Sequence, residues 1–521
     1  MNSHPIHPAE YCEDSPSINI MPPDRGGLGM TRGQYALSQA LKLMVFSSIF
    51  LLLSCAPASL PKRTDLASLP ASTRSGVQIT NKKDDLGQRA WWKKINDPVL
   101  NHLIIQALTH NNQINVAKAN IIQAQAQLKA AHNAWLPTLG AAANGFAAQG
   151  WRSNFKPQGA LAQSRVLADE GNVRTHGQYN GFVPEYSLNI LANQSNSALA
   201  KASLGIQEGA YQATRLNIIS QVCGSYFSLL GQKQQLIDQQ TLIKDLKKLH
   251  HLEFTRYRDG AGDLLVVTSL TQEIANNQAY ISSIEQSIAH NENALRLLIN
   301  QEPGPIVTGT TINQLATEGL IPKNLPATVL INRPDLIIAK EQLSASNAQL
   351  GLSYSNFFPK ISLTGLVGNS SIALIHLLQL STGIGLAQIA ASIPIFNGVA
   401  YQQINSAKAG VNAAYFNYLQ AVKEALVDVD NTLTSYQNAK RAYRYQDQAF
   451  NAAKKAYQIN VLKHTTGAQD STGVVKAQIT LDQAKLNRTQ AKIEQLNCLV
   501  NVYQSLAGGY KVVDKNAIIR S

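Results

Sequence analysis

Apolar positions along the chain follow two periods, and the periods alternate in a fixed order. Leu100, Leu103, Ile104, Ala107 and Leu108 recur at three and four residues, and Ile114, Ala117, Ile121, Ala124 and Leu128 continue the series. That spacing predicts an amphipathic helix. Asp97 and Pro98 supply its start: the carboxylate accepts free N–H groups, and proline fits the first helical position. Pro137 ends it, giving about 37 residues, or about 55 Å at 1.5 Å per residue. The period then changes to two. Leu139–Phe146 alternates weakly, 147–178 reads as a long loop around Trp151, and Phe182, Pro184, Tyr186, Leu188 and Ile190 alternate with Val183, Glu185, Ser187 and Asn189. This predicts a β-hairpin over 138–190 with one apolar face. From about Asn193 to about Tyr257 the helical period returns without a proline, over about 65 residues and almost 100 Å. The stretch Arg256–Asp263 is a glycine turn, and a return helix is expected from about Leu264 to Asn300.

The same order then repeats. Residues 301–332 carry four prolines and form a connector. Arg333-Pro334-Asp335 opens a helix of about six turns, which Phe357-Phe358-Pro359 stops. Ile361, Leu363 and Gly365 alternate with Ser362 and Thr364. Ile389, Ala391, Ile393 and Ile395 alternate with Gln388, Ala390 and Ser392. This is a second hairpin, 360–396. A second helix of about 65 residues follows from near Gly398 to Lys463. Then come a second glycine turn, Thr466–Ser471, and a return helix from about Gly473 to Leu506. AWLPTLG parallels NFFPKISLTG, and YRDGAGD parallels LKHTTGAQD. The chain is therefore an internal two-fold repeat. The two short helices of the first half sum to roughly the length of one long helix, so they are expected to stack end to end beside it.

Composition narrows the setting. Charged residues are 15% of the chain, so the long helices must present wide uncharged faces. Net charge is +13, but the excess forms no polybasic run and no aromatic platform, which argues against a nucleic-acid partner. Apart from the adjacent His250 and His251 the histidines are isolated, no phosphate loop follows a strand, and the pattern shows no paired carboxylates converging. The sequence therefore predicts no enzyme, no cofactor and no metal site. Cys223 and Cys498 lie inside helical patterns and read as small buried hydrophobes or as a bridge.

The N-terminus has its own logic. LMVFSSIFLLL (43–53) is too short to span a bilayer as a helix, and it follows Arg32 and Lys42. It ends in Leu52-Leu53-Ser54-Cys55, which resembles a bacterial lipobox, with Cys55 as the acylated first residue of the mature chain. Several acyl chains make a firm anchor. Met30 gives a more usual signal length than Met1. The domain plan is then an extension and signal over 1–54 and a lipidated tether over 55–90. The first repeat occupies 91–300, the connector 301–332, the second repeat 333–508 and a tail 509–521.

Each chain offers four strands. Four strands cannot close a barrel in lipid, because their edges leave backbone groups unsatisfied, whereas a trimer would supply 12. At this point the motifs converge on a family. Trp91-Trp92, Asp97-Pro98-Val99-Leu100, Trp135-Leu136-Pro137, Arg333-Pro334-Asp335, Ser346–Gly351, Phe357–Leu363 and Pro394–Gly398 together resemble outer-membrane efflux factors of the TolC/OprM type, in the lipoprotein (NodT-like) branch. The resemblance implies a mixed α/β membrane protein: a long antiparallel α-helical barrel continuous with a 12-stranded β-barrel formed by a homotrimer. It implies a lipid-anchored place in the outer membrane with a large periplasmic extension. It also implies docking to a periplasmic adaptor and an inner-membrane pump, and passive conduction of small toxic compounds or drugs. A duct for type I protein or peptide secretion and a periplasmic coiled-coil scaffold lipoprotein stand as alternatives.

In that family the helical tips form the closed periplasmic mouth and the adaptor contact. The matching positions are Arg256, Arg258, Asp259, Gly260 and Asp263 in the first tip, and Gly467 and Asp470 in the second. Their charges fit ion pairs between subunits, and equally fit solvated turns. Two stretches depart from the family pattern. STGVVKAQ stands where a more hydrophobic, Leu-Asp-containing helix start is usual, and LNILANQ where an acidic and Trp-Gly pattern is common.

Overall fold

The structure is a computed structural model. It describes residues 78–80, 90–149, 174–315, 321, 324–326, 332–371, 383–509 and 511. Cys55, the signal segment and the loops around Trp151 and 372–382 lie outside the described residues. The elements in order are β1 (Gln78–Thr80), α1 (Pro98–His110), α2 (Asn112–Asn133), β2 (Thr138–Gln149), β3 (Arg174–Leu188), α3 (Ile190–Arg258), α4 (Leu264–Leu298), β4 (Asn324–Pro326), α5 (Pro334–Ser355), β5 (Lys360–Ser371), β6 (Gly383–Ser392), α6 (Gly398–Thr465) and α7 (Ser471–Ser505).

The duplication is visible in lengths and caps. The long helices α3 and α6 have 69 and 68 residues, the return helices α4 and α7 have 35 each, and α2 and α5 have 22 each. Asn189 caps α3 by accepting from Ala192 N–H, and Asn397 caps α6 by accepting from Ala400 N–H, both at 3.0 Å. Asparagine is suited to this because its side chain satisfies a free N–H of the first turn. Helix gives way to strand through Trp135-Leu136-Pro137 in one half and Phe357-Phe358-Pro359 in the other.

The first short helix is not continuous, contrary to the sequence expectation. The chain breaks at Asn111, whose backbone is extended. Its side chain accepts from Gln113 N–H at 2.9 Å and Ile114 N–H at 3.3 Å, and donates to the Leu298 carbonyl at 2.8 Å. One residue thus caps α2 and satisfies the last turn of α4. The strand ends differ too. Ile190 is the first residue of α3, Ile393 and Ile395 lie beyond β6, and α7 begins at Ser471 instead of near Gly473.

Two parallel orders organise the molecule. Strands β1 and β4 pair in parallel as a separate two-stranded sheet, and the other four strands form one antiparallel sheet in the order β2-β3-β5-β6. Next to it, α3 packs between α2 and α5, and α5 packs on α6. Toward the tips, α3 packs between α4 and α7, and α7 packs on α6. The result is four columns: α2 and α4 stacked, then α3, then α5 and α7 stacked, then α6. This is the stacking the helix lengths predict, and the strand order is the column order.

The sheet has two unlike faces. The register puts Leu139, Phe182, Tyr186, Leu188, Ile361, Leu363, Val367 and Ile389 on one face. Leu139 and Ile389 there are 70% and 76% exposed. The other face carries the row Thr138, Glu185, Thr364, Gln388, with Lys360, Ser187, Ser362 and Ser392 nearby and Val183, Leu366 and Leu386 farther along. Alternation of this kind is the signature of a strand between lipid and water. The outer edges of β2 and β6 have no partner strand among the described residues. No described helix is long and apolar enough to cross a membrane.

The main core lies where α1, the middle of α3 and the ends of α4 and α7 meet. Trp91 stacks on Tyr503, with ring centroids 4.3 Å apart. Asp97 is fully buried. It accepts from Val99 N–H at 2.8 Å, from Leu100 N–H at 3.1 Å, from the Tyr226 hydroxyl at 2.7 Å and from the Thr310 hydroxyl. The helix cap read from sequence is therefore also a tie between α1, α3 and the segment after α4. Cys223 and Cys498 are free and buried, with no bridge between them. Burial pushes both thiols up, Cys498 to about 11, so they pack as hydrophobes.

Candidate functional site

The tips are built alike from the backbone upward. At the end of α3, Gly260 takes a φ of 77°, and at the end of α6 Gly467 takes a φ of 75°. Ala261 N–H then donates to the Arg256 carbonyl, and Ala468 N–H to the Lys463 carbonyl, each at 2.8 Å. This closure satisfies helix-end carbonyls and needs a left-handed residue, which glycine supplies without a Cβ clash. Asp263 then caps α4 by accepting from Leu265 N–H at 2.8 Å. Asp470 caps α7 by accepting from Gly473 N–H at 3.0 Å.

The charged positions of the two tips meet within one chain. Arg256 lies 3.7 Å from Asp470 and 3.7 Å from Glu253. Arg258 pairs with its neighbour Asp259 at 3.3 Å. Arg256 and Asp470 are roughly half exposed, so their pair is worth well under about 1 kcal/mol. The more enclosed contact is Glu253 with Lys476, at 3.1 Å. The residues of interest therefore include Glu253 and Lys476, which the sequence reading did not single out.

These contacts are the last rungs of a ladder between α3 and α7. Moving away from the tips, Asp245 faces Asp482, Asp238 meets Lys485 at 2.8 Å, and Gln235 donates to Gln490 at 2.8 Å. Leu242, Leu246, Leu249, Leu270, Val475 and Leu486 fill the space beside them. The signal was present in the chain. Asp238, Asp245 and Glu253 recur at seven and eight residues on α3, which keeps them on one face. It was masked because acids on a long helix ordinarily read as a solvated stripe.

A second cluster pins the far end of α7, where it meets α5. Arg333 precedes α5 at the place Asn111 holds before α2. Its guanidinium donates to Asp335 at 2.8 Å, to Asp428 of α6 at 3.0 Å and to the Ser505 carbonyl at 2.6 Å. Asn111 donates to the Leu298 carbonyl in the same way, so the two stacked columns are joined by equivalent hydrogen bonds. Opposite the main core, α3 and α7 carry a groove of about 360 Å³. Asn217, Gln221, Ser225, Ser228, Asn497, Asn501 and Gln504 line it, and no charged side chain does.

Known proteins share this arrangement. The family described as outer membrane efflux protein matches residues 103–301 and 325–508, one match per repeat. A probable outer membrane lipoprotein of Salmonella typhimurium, SilC, is 26% identical over 486 residues, covering 90% of this chain and 99% of that protein. The solvent efflux pump outer membrane protein SrpC of Pseudomonas putida is 26% identical over 423 residues, covering 80% and 86%. Among solved structures, the outer-membrane channel OprN superposes with a TM-score of 0.72 at 21% identity, covering 87% of this chain and 99% of that one.

Proposed function

Because the chain belongs to the outer membrane efflux protein family, we propose that it is the trimeric outer-membrane channel of a tripartite efflux system. In this reading, small toxic compounds pass through it after it docks to a periplasmic adaptor and an inner-membrane pump. The observation that carries the reading is the sheet. One face is apolar and exposed, the other carries a polar row across all four strands, and neither outer edge has a partner strand among the described residues. Three such sheets joined edge to edge satisfy every backbone group in lipid and enclose a polar bore. The four helical columns extend the same order for about 100 Å. The solvent-efflux and lipoprotein relatives support small-molecule cargo and an acylated Cys55.

The tips are then the periplasmic mouth. Arg256, Arg258, Asp259, Gly260, Asp263, Gly467 and Asp470 lie at the surface an adaptor would meet. Native mass spectrometry of the detergent-purified protein should give a trimer, and planar bilayers should show discrete conductance steps. A chain that stays monomeric and soluble without detergent would overturn the reading. Cys55→Ser should abolish metabolic labelling by palmitate, and persistent labelling would reject the acylation site.

A further inference from the structure

The α3–α7 ladder contains one mismatched rung. Glu253 faces Lys476, Arg256 faces Asp470, Asp238 faces Lys485 and Gln235 faces Gln490. Between them, Asp245 faces Asp482, a carboxyl against a carboxyl. Asp482 is 5% exposed. Its Oδ1 accepts from the Gln478 amide at 3.0 Å, while its Oδ2 is buried with no donor. A buried carboxylate oxygen without a donor is satisfied by a proton, and the neighbouring Asp245 carboxyl is a like charge that disfavours ionising both away from water.

We propose that the Asp245–Asp482 rung is a proton-binding site: the two carboxyls share one proton that holds the tip-side halves of α3 and α7 together, and losing it releases the seam. The consequence for flow rests on reading the tips as the mouth of the channel. Other charges near the rung do not replace the proton. Lys485, on the same helix, works against the proton, but burial and Asp245 outweigh it and its ammonium is engaged by Asp238 at 2.8 Å. Lys244, Lys247 and Lys248 on α3, Glu273 on α4, and Lys454 and Lys455 on α6 are all exposed to solvent.

The sign follows from solvation. In the closed seam, burial and then Asp245 raise the Asp482 carboxyl to about 7. In an opened seam it returns to the ordinary range near about 4. The closed form therefore binds more protons between these values. Its advantage is largest at the acid end and falls by up to about tenfold per pH unit, until it is gone above about 7.

The test uses the full mature chain with spin labels at Arg258 and Thr466, one on each tip, read by double electron–electron resonance at pH 5.5 and 8.5. The wild-type distance distribution should lengthen and broaden at pH 8.5. In Asp482→Asn, which keeps the shape and removes the charge, it should stay short at both pH values, and Asp245→Asn should do the same from the other helix. No pH response in the wild type, or an unchanged response in both variants, overturns the proposal. Conductance recorded in parallel separates the two readings. Moving labels with a flat conductance uphold the proton site and reject the tips as the mouth.

Discussion

The two long helices invite direct comparison. Helices α3 and α6 begin on asparagine caps, differ by one residue in length and end on superimposable glycine turns. Yet α3 buries residues from Ser195 to Glu253, while α6 buries none beyond Ala439. The cause is position. Helix α3 has a column on each side, and α6 has one on a single side. Duplicated sequence gave duplicated backbone, but burial depends on what stands next to each copy.

The comparison breaks most readily at the buried helix. Asp97→Ala should cost roughly 3–5 kcal/mol, because it leaves the Tyr226 hydroxyl and two N–H groups buried without an acceptor. Denaturant unfolding in detergent measures it, and a loss below about 1 kcal/mol would show that α3 is less enclosed than described. A matched pair of glycines sharpens the contrast. A Cβ at Gly231 of α3 would clash with Ile493 Cγ1, whereas one at Gly410 of α6 would meet nothing within 4 Å. Gly231→Ala should destabilise by about 1–3 kcal/mol. Gly410→Ala should stabilise by up to about 1 kcal/mol. Thermal shifts of opposite sign are the expected readout.

At the tips the asymmetry should vanish. Gly260→Ala and Gly467→Ala should each cost about 1–2 kcal/mol, since both force a Cβ into the left-handed region. Unequal losses would mean that flanking columns reach the turns. Arg256→Ala should have the smallest effect, under about 1 kcal/mol, because Arg256 and Asp470 are half exposed and Glu253 keeps Lys476 as its partner. Its consequence is better sought in adaptor affinity than in melting.

Much of this was legible in the chain. Periods of 3.6 and 2, punctuated by Pro137, Pro359, Gly260 and Gly467, give the element order, because each residue acts through its own backbone. Three features were not. The break at Asn111 depends on a carbonyl 187 residues away, at Leu298. Arg333 read as a helix flank, since Asp428 and the Ser505 carbonyl are brought to it only by packing. The α3–α7 ladder joins positions on helices far apart in sequence, such as Asp238 and Lys485, which only packing brings side by side. Local chemistry was written locally, and the ties between columns were not.

The joints at Asn111 and Arg333 give the four columns different mechanical characters. Two columns, α3 and α6, are unbroken struts from the tips to the strands. The other two are jointed rods, each pinned near mid-height by hydrogen bonds to a single carbonyl and not by continuous helix. A load applied at the tips meets stiff members alternating with articulated ones. Force from the tips therefore reaches the sheet through continuous backbone in two columns and through side-chain hydrogen bonds at Asn111 and Arg333 in the other two.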